Sequence, residues 1–160
     1  MKPILFAVLI SLAATAQGMQ KADLVIVDKS ERRLTLMHNG QPFGTYRIAL
    51  GGNPVGHKRQ EGDQKTPEGR YVLDYKKPDS AYYKAIHILY PNAADKAQAR
   101  KRGVSPGGQI MIHGQKNGYG WLGSIIQKTD WTEGCIAVTD AEMEDIWLRV
   151  DAGTPIEINP

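Results

Sequence analysis

The chain has 160 residues, a formal net charge of +3, four histidines and a single cysteine. This length is typical of one domain with a core large enough to fold without disulfides, and a lone cysteine excludes a disulfide within the chain. The small net charge does not indicate a nucleic-acid-binding protein. Local basic clusters are predicted to be solvated surface, with contact to an anionic polymer as the alternative: Lys58-Arg59, Lys76-Lys77 and Arg100-Lys101-Arg102.

The N-terminus has the layout of a secretory signal peptide. Lys2 supplies a positive charge, an apolar stretch runs from Ile4 to Ala14, and Ala14-Thr15-Ala16 is a small-x-small cleavage pattern. The apolar stretch is shorter than the roughly 20 residues that span a bilayer. We therefore predict a cleaved signal over residues 1–16, a domain over 17–160, and no stable membrane insertion after cleavage. Retention of the segment as a membrane tether is the alternative.

The first half of the domain has the pattern of β-strands. Leu24–Val27 is a short apolar run, and Arg33–His38 alternates with Leu34 and Leu36 on one face. Asn39-Gly40 follows, which is the strongest short-range hairpin signal, and a return strand is predicted from Phe43 to Leu50. After a polar loop, further strands are predicted over Arg70–Tyr75 and, at the C-terminus, over Thr154–Ile158.

Two helices are predicted. Asn92 can cap a helix that runs to about Arg102 and ends at Gly103. The second helix begins with a Thr-x-x-Glu capping box at Thr139 and Glu142. Four apolar side chains then fall on one helical face and are predicted to be core: Met143, Ile146, Trp147 and Val150. The predicted fold is a single mainly β domain with two short helices.

Cys135 is the first candidate for chemistry. It follows Gly134 and an acidic, hydroxyl-bearing turn, rather than lying inside the apolar run usual for a structural cysteine. An unpaired cysteine in an exported protein indicates either intermolecular pairing or a reactive thiol. His113 ends the apolar run Ile110–Ile112 and is followed by Gly114. A thiol and an imidazole at strand ends can act as nucleophile and base.

The other polar features have simpler interpretations. His38, His57 and His87 are predicted to be surface or hydrogen-bonded structural histidines, with strand alternation turning His87 to the polar face. One cysteine with scattered histidines lacks the spacing of a zinc site, and the glycine pairs match no phosphate-binding pattern. No metal and no cofactor is predicted. Gly134 could let successive amides point at one oxyanion, or could belong to an ordinary turn.

Together these segments resemble the L,D-transpeptidase catalytic domain, the YkuD family. The resemblance rests on Ile112-His113-Gly114 and, after a loop, on Thr132-Glu133-Gly134-Cys135-Ile136. The turn Asp63-x-x-Thr66-Pro67-Glu68-Gly69 and the closing segment Gly153-Thr154-Pro155-Ile156 match the family's layout as well. The resemblance covers roughly Asp23 to Asn159 and implies the family's β-sandwich-like fold.

The resemblance also implies a function. Cys135 would attack a peptidoglycan stem peptide and form a thioester, with His113 as base and the carbonyl of Gly114 orienting the ring. The amides of Glu133, Gly134 and Cys135 would form an oxyanion hole. Trp131 and Thr132, directly before them, are predicted to bind substrate. A neighbouring stem or an envelope protein would accept the acyl group, and the location would be the periplasm.

Two positions depart from the family pattern. The histidine that usually precedes Gly-Cys is Glu133, and the arginine usual two residues after the cysteine is Ala137. A carboxylate beside a thiol disfavours the thiolate, so Glu133 is predicted to point away or to pair with a cation. Two alternatives therefore stay open: an L,D-carboxypeptidase or amidase that acts on a related envelope substrate, and a catalytically silent cell-wall-binding domain.

Overall fold

The computed structural model describes residues 18–160, which form an eight-stranded curled sheet with three short α-helices. The strands are β1 (Leu24–Asp28), β2 (Arg33–His38), β3 (Gln41–Arg47), β4 (Gly69–Lys77), β5 (Ala85–Ile88), β6 (Met111–His113), β7 (Ile136–Ala137) and β8 (Thr154–Asn159). The helices are α1 (Ala93–Arg102), α2 (Gly123–Ile126) and α3 (Asp140–Arg149). The predicted mainly β fold is confirmed. The predicted signal peptide over residues 1–16 lies outside the described residues.

The N-terminal strands follow the alternation in their sequence. Leu34 and Leu36 of β2 are fully buried while their neighbours are not. Asn39 and Gly40 both adopt positive φ, at 49° and 74°, as the tight turn between β2 and β3 requires. The predicted hairpin is confirmed, although its return strand is Gln41–Arg47 and ends three residues earlier than the sequence indicated.

The strand order is β3-β2-β1-β8-β4-β5-β6-β7, with parallel pairing only between β1 and β8 and between β6 and β7. The two ends of this sheet meet. Ala49, just after β3, and Ala137 of β7 exchange both backbone hydrogen bonds at 2.9 Å. The sheet therefore curls around its apolar face, and its largest fully buried side chains include Leu34, Leu50, Leu73, Ile86, Ile112, Met143 and Ile156.

Both predicted helices are present with their predicted caps. Asn92 caps α1 and Gly103 follows it with a φ of 67°, while the capping box of Thr139 and Glu142 opens α3. On α3, Met143, Ile146 and Val150 are fully buried, but Trp147 is only partly buried at the edge of the core. The one-turn helix α2, and a turn of 3₁₀-helix before it, carry no side-chain cap and were not predicted.

Lys58 corrects the prediction that the basic clusters are all solvated. Its side chain is 3% exposed, because its Nζ donates to Asp63 Oδ1 at 2.8 Å and to the carbonyl of Gln60 at 3.1 Å. A lysine can be buried when its charge is paired in this way. Across residues 18–160, none of the helices has both the length and the apolar character needed to cross a membrane.

Candidate active site

Strands β6 and β7 place the candidate base and nucleophile on the same side of the sheet. They pair in parallel, with Ile112 opposite Ile136 and His113 opposite Ala137. Residues opposite each other in a pair share a face, and side chains two apart on one strand do so too. Cys135 precedes Ala137 by two residues, so its side chain and that of His113 leave the sheet on one face.

The hydrogen bond of His113 defines its tautomer. The ring is 4% exposed, and its Nδ1 lies 2.6 Å from the carbonyl oxygen of Gly114. A carbonyl oxygen can only accept, so Nδ1–H donates and the neutral ring keeps its lone pair on Nε2. Burial lowers the pKa of His113, which favours this neutral form. The ring is thus prepared to accept a proton.

Gly114 cannot be replaced by a larger residue without rearrangement. A Cβ at this position would lie 2.7 Å from Asp140 Oδ1 and 2.9 Å from the backbone oxygen of Tyr83. The Gly114 amide also donates to that Tyr83 oxygen at 3.0 Å. The chain after His113 therefore packs directly against a neighbouring backbone, which fixes the carbonyl that orients the ring.

Two aromatic side chains enclose His113. The ring of Tyr82 lies 4.3 Å from the imidazole, tilted by 34°, and Trp131 meets it edge-on at 5.8 Å. Trp131, predicted to bind substrate, is thus a direct neighbour of the candidate base. Tyr82 was not predicted, because no local motif marks it; it reaches the site where the segment before β5 pairs with the segment after β6, with Tyr82 bridged to Lys116.

Cys135 is a partly buried free thiol. Its Sγ–H donates to the carbonyl oxygen of Gln109 at 3.6 Å. Burial raises the pKa of Cys135, while the backbone amide of Met111 and the charge of Lys58 act in the opposite direction. A raised thiol pKa beside a lowered imidazole pKa favours the neutral pair of thiol and imidazole in the resting site. Such a thiol needs a base at the moment of attack.

The turn before Cys135 is held together by the hydroxyl of Thr132. This hydroxyl donates to the carbonyl of Cys135 at 2.7 Å and accepts the amide of Gly134 at 3.1 Å. Thr132 is 5% exposed, and both hydrogen bonds of its hydroxyl are made within the turn. Within residues 18–160, the amides of Glu133 and Cys135 donate no hydrogen bond to the protein. Of the three amides predicted for an oxyanion hole, these two are free to donate.

Glu133 presents an exposed carboxylate at the edge of the site. Gln64 Nε2 donates to both of its oxygens at 3.3 Å. The carboxylate is thus held by a neutral amide and not by the predicted cation. Ala137, at the other departure from the family pattern, is fully buried and joins the two ends of the sheet.

Two cavities adjoin residues of this arrangement. One of about 300 Å³ adjoins the turn and is lined by Lys58, Glu61, Gly62, Gly107, Gly108, Ile110 and Glu133. A second, more apolar cavity of about 200 Å³ adjoins the aromatic ring beside the base and is lined by Gln115, Lys116, Tyr119, Ile126 and Trp131. The two cavities thus share residues with the nucleophile turn, Glu133 in the first and Trp131 in the second.

The remaining histidines have structural partners. His57 Nε2 lies 3.0 Å from an Asp95 carboxylate oxygen, and its Nδ1 accepts the amide of Glu68. His38 lies at the surface against the backbone of Lys21. His87 contacts Asp74 at 2.6 Å and is 7% exposed, so it is the predicted hydrogen-bonded structural histidine, although it is buried rather than at the surface. All four residues of β5 are buried, since both faces of this central strand are covered.

Comparison with known proteins identifies the family. A family model described as the L,D-transpeptidase catalytic domain, YkuD, matches residues 22–158. The chain therefore belongs to this family. The curated "Putative L,D-transpeptidase YafK" of Escherichia coli K12 is 40% identical over 128 residues. The match covers 76% of this chain and 44% of that protein, so the chain corresponds to only about half of this relative.

Solved structures support the same fold. The helical cell shape determining protein Pgp2 from Campylobacter jejuni is 27% identical, with a TM-score of 0.64 over 84% of this chain and 46% of its own. An L,D-transpeptidase from Mycobacterium tuberculosis H37Rv gives a TM-score of 0.56 at 16% identity, over 86% of this chain and 57% of its own. At that identity the second likeness concerns the fold alone.

Proposed function

We propose that this domain is a cysteine acyltransferase of the L,D-transpeptidase type that acts on peptidoglycan stem peptides through a thioester at Cys135. The observation that carries the proposal is the Nδ1 hydrogen bond of His113 to the Gly114 carbonyl. It leaves the Nε2 lone pair on the face of the sheet from which the chain's sole thiol projects. Family membership supports the substrate class.

The first half-reaction forms the thioester. His113 Nε2 takes the Sγ proton of Cys135, and the sulfur attacks the carbonyl carbon on the L-centre of the stem's third residue. The electron pair of the carbonyl π bond moves to oxygen, where the amides of Glu133 and Cys135 donate to it. When the oxyanion collapses, the carbon–nitrogen bond breaks, and His113 returns the proton to the nitrogen of the departing D-alanine.

The second half-reaction releases the acyl group. An amine from a neighbouring stem or an envelope protein attacks the thioester carbon, and His113 accepts a proton from that nitrogen. The carbon–sulfur bond then breaks, and Cys135 recovers a proton. Water in place of the amine would give a carboxypeptidase or amidase. Burial favours the neutral thiol and the neutral imidazole, so thioester formation depends on His113 as a general base, as does deprotonation of the attacking amine.

Three features support placing the activity in the cell envelope. The family acts on peptidoglycan, residues 1–16 have the pattern of an export signal, and a free thiol without a partner in its chain suits a catalytic role. We therefore propose that the domain works in the periplasm. Fractionation of cells that express the full chain, with Cys135 labelling of each fraction, tests this location.

Incubation of the purified domain with muropeptides, followed by mass spectrometry, tests the chemistry. A 3–3 cross-linked dimer identifies transpeptidation, and a tripeptide with free D-alanine identifies hydrolysis by carboxypeptidase action. Release of an amine-linked partner from the stem identifies an amidase. Binding to peptidoglycan sacculi without any product would overturn the enzymatic proposal in favour of a silent wall-binding domain. The Cys135→Ala variant is the matched control for each product.

A further inference from the structure

The turn that carries Cys135 packs against a second segment, residues 63–66, which has no role in the mechanism above. Thr66 is fully buried, and its hydroxyl donates to the carbonyl oxygen of Gly134 at 2.9 Å. On its other side this hydroxyl faces the amide of Gly51, which donates to it at 3.5 Å. Thr66 thus links the turn to the strand-end segment after β3.

The backbone of the two segments is in direct contact. Gly134 has a φ of 129°, which favours glycine, and a Cβ there would lie 2.6 Å from the backbone oxygen of Lys65. One residue earlier, Gln64 holds the Glu133 carboxylate. The 63–66 segment therefore contacts the nucleophile turn at both Glu133 and Gly134.

Peptide geometry connects the Thr66 hydrogen bond to the reaction. The carbonyl of Gly134 and the N–H of Cys135 belong to one planar peptide unit, and in a trans peptide they point in opposite directions. Fixing the oxygen against buried Thr66 consequently fixes the direction of the Cys135 N–H. That N–H donates to no acceptor among residues 18–160 and points away from the Thr66 side.

We propose that Thr66 is a positioning residue: its hydroxyl, by fixing the Gly134–Cys135 peptide plane, aims the Cys135 amide at the oxyanion formed during acylation. The inference rests on the proposed nucleophile but not on the identity of the natural substrate. It concerns an interaction made when a tetrahedral oxyanion forms. A reaction of the same sulfur that forms no oxyanion does not need it.

This difference defines the experiment. p-Nitrophenyl acetate acylates a thiol through a tetrahedral oxyanion, whereas iodoacetamide alkylates it by direct displacement without one. The rates of both modifications of Cys135 are measured by intact-mass spectrometry in wild type, Thr66→Val and Thr66→Ser. Removing an oxyanion donor completely costs about 10²- to 10³-fold, so a misaimed donor is expected to cost about 10- to 100-fold.

We expect Thr66→Val to lose that factor in acylation while its alkylation rate stays within about threefold, and we expect Thr66→Ser to recover acylation. Thr154→Val is the matched control, because buried Thr154 also donates its hydroxyl to a backbone carbonyl, that of Asp151, at 2.7 Å. It removes a similar bond at the start of β8 and should leave the ratio of the two rates unchanged.

Two results would contradict the proposed role of Thr66. Unchanged acylation in Thr66→Val, or equal loss of acylation and alkylation, would overturn the proposal, because the hydroxyl would then have no selective effect on the oxyanion. If Thr66→Val does not fold, Thr66→Ala is measured in the same way and the same ratio decides. A wild-type protein that reacts with the ester but gives no muropeptide product would refute the proposed substrate while leaving this inference intact.

Discussion

His87 and His113 are buried to a similar degree on neighbouring strands, yet the groups that surround the two rings differ. Their exposed fractions are 7% and 4%, and each ring makes a 2.6 Å contact through Nδ1. Each is also close to a tyrosine ring, with centroids 4.5 Å apart for Tyr75 and His87 and 4.3 Å apart for Tyr82 and His113. The difference lies in the partner of Nδ1.

His87 faces the carboxylate of Asp74, whereas His113 faces the backbone carbonyl of Gly114. A carboxylate places a full charge against the imidazole that it contacts, while a carbonyl fixes the tautomer without adding a charge. Only His113 also shares a sheet face with a thiol. The comparison teaches that burial does not distinguish a structural histidine from a candidate base; the charge of its partner and the group on its free side do.

Removal of the thiol is expected to have the largest effect. Cys135→Ser should reduce formation of the acyl-enzyme by about 10⁴-fold or more, because the hydroxyl is a weaker nucleophile and His113 is positioned for sulfur. Intact-mass measurement of the acylated fraction, with thermal melting to confirm the fold, provides the readout. Undiminished turnover by the serine variant would show that the Cys135 thiol is not the nucleophile and would remove the basis of the comparison.

Exchange of the two histidines for alanine tests the comparison directly. His113→Ala should lower the acylation rate about 10²- to 10⁴-fold, the usual share of a positioned general base. His87→Ala should leave the rate within about threefold and should lower the free energy of unfolding by about 1 kcal/mol through loss of the Asp74 bond. Greater loss of activity in His87→Ala than in His113→Ala would reverse the assignment.

The pH dependence sharpens the assignment of the base. Burial lowers the pKa of His113 below its ordinary value of 6.5, and the ring accepts a proton only when neutral. We therefore expect kcat/KM to fall about tenfold per pH unit on the acid side, with a midpoint below pH 6.5. His87→Ala should keep this acid limb, and a midpoint above 6.5 in wild type would contradict a buried neutral base.

The same pKa shift affects stability. Because the folded state favours the neutral ring of His113, its contribution is fully present above pH 6.5 and declines as the pH falls, when protonation favours the unfolded chain. Thermal melting from pH 7.5 to pH 4.5 measures this decline. The His113→Asn variant should show a shallower decline than wild type, since it cannot titrate in this range.

Glu133 is expected to give the smallest effect. If only its backbone amide serves the oxyanion, Glu133→Gln and Glu133→His should both stay within about tenfold of wild type, well below the share of a general acid or base. Gln64 can still bond the glutamine side chain, which makes this a mild change. A loss above roughly 100-fold would show that His113 shares the acid–base work with Glu133.

Much of the fold could be predicted because its signals are local. The turn at Asn39 and Gly40 and the caps at Asn92 and Thr139 are each encoded within a few residues, and the structure contains all of them. The one-turn helix α2 has no cap or apolar period to mark it. Trp147 has the period of the core face but lies near its rim, where Lys76 Nζ sits 4.4 Å from the ring centroid.

The candidate site could be predicted only where local sequence reveals it. Cys135 and His113 have informative neighbours, so their residue types and flanks were sufficient to select them. Tyr82 comes to the imidazole through strand pairing, and Lys58 is buried by its ion pair with Asp63. Such contacts depend on the register between distant segments, which a single sequence does not display.

The backbone pairing between Ala49 and Ala137, which closes the sheet, has a consequence for how the protein folds. These residues are separated by more than half of the chain, so their pairing carries a high loop-closure cost and is expected late in folding. Until it forms, β7 is paired only with β6, and the turn that carries Cys135 lacks the backbone hydrogen bonds that join Thr132 to Leu50 and Gly52. We therefore expect the refolding chain to be inert in the proposed acyl transfer and to become competent only when its sheet closes.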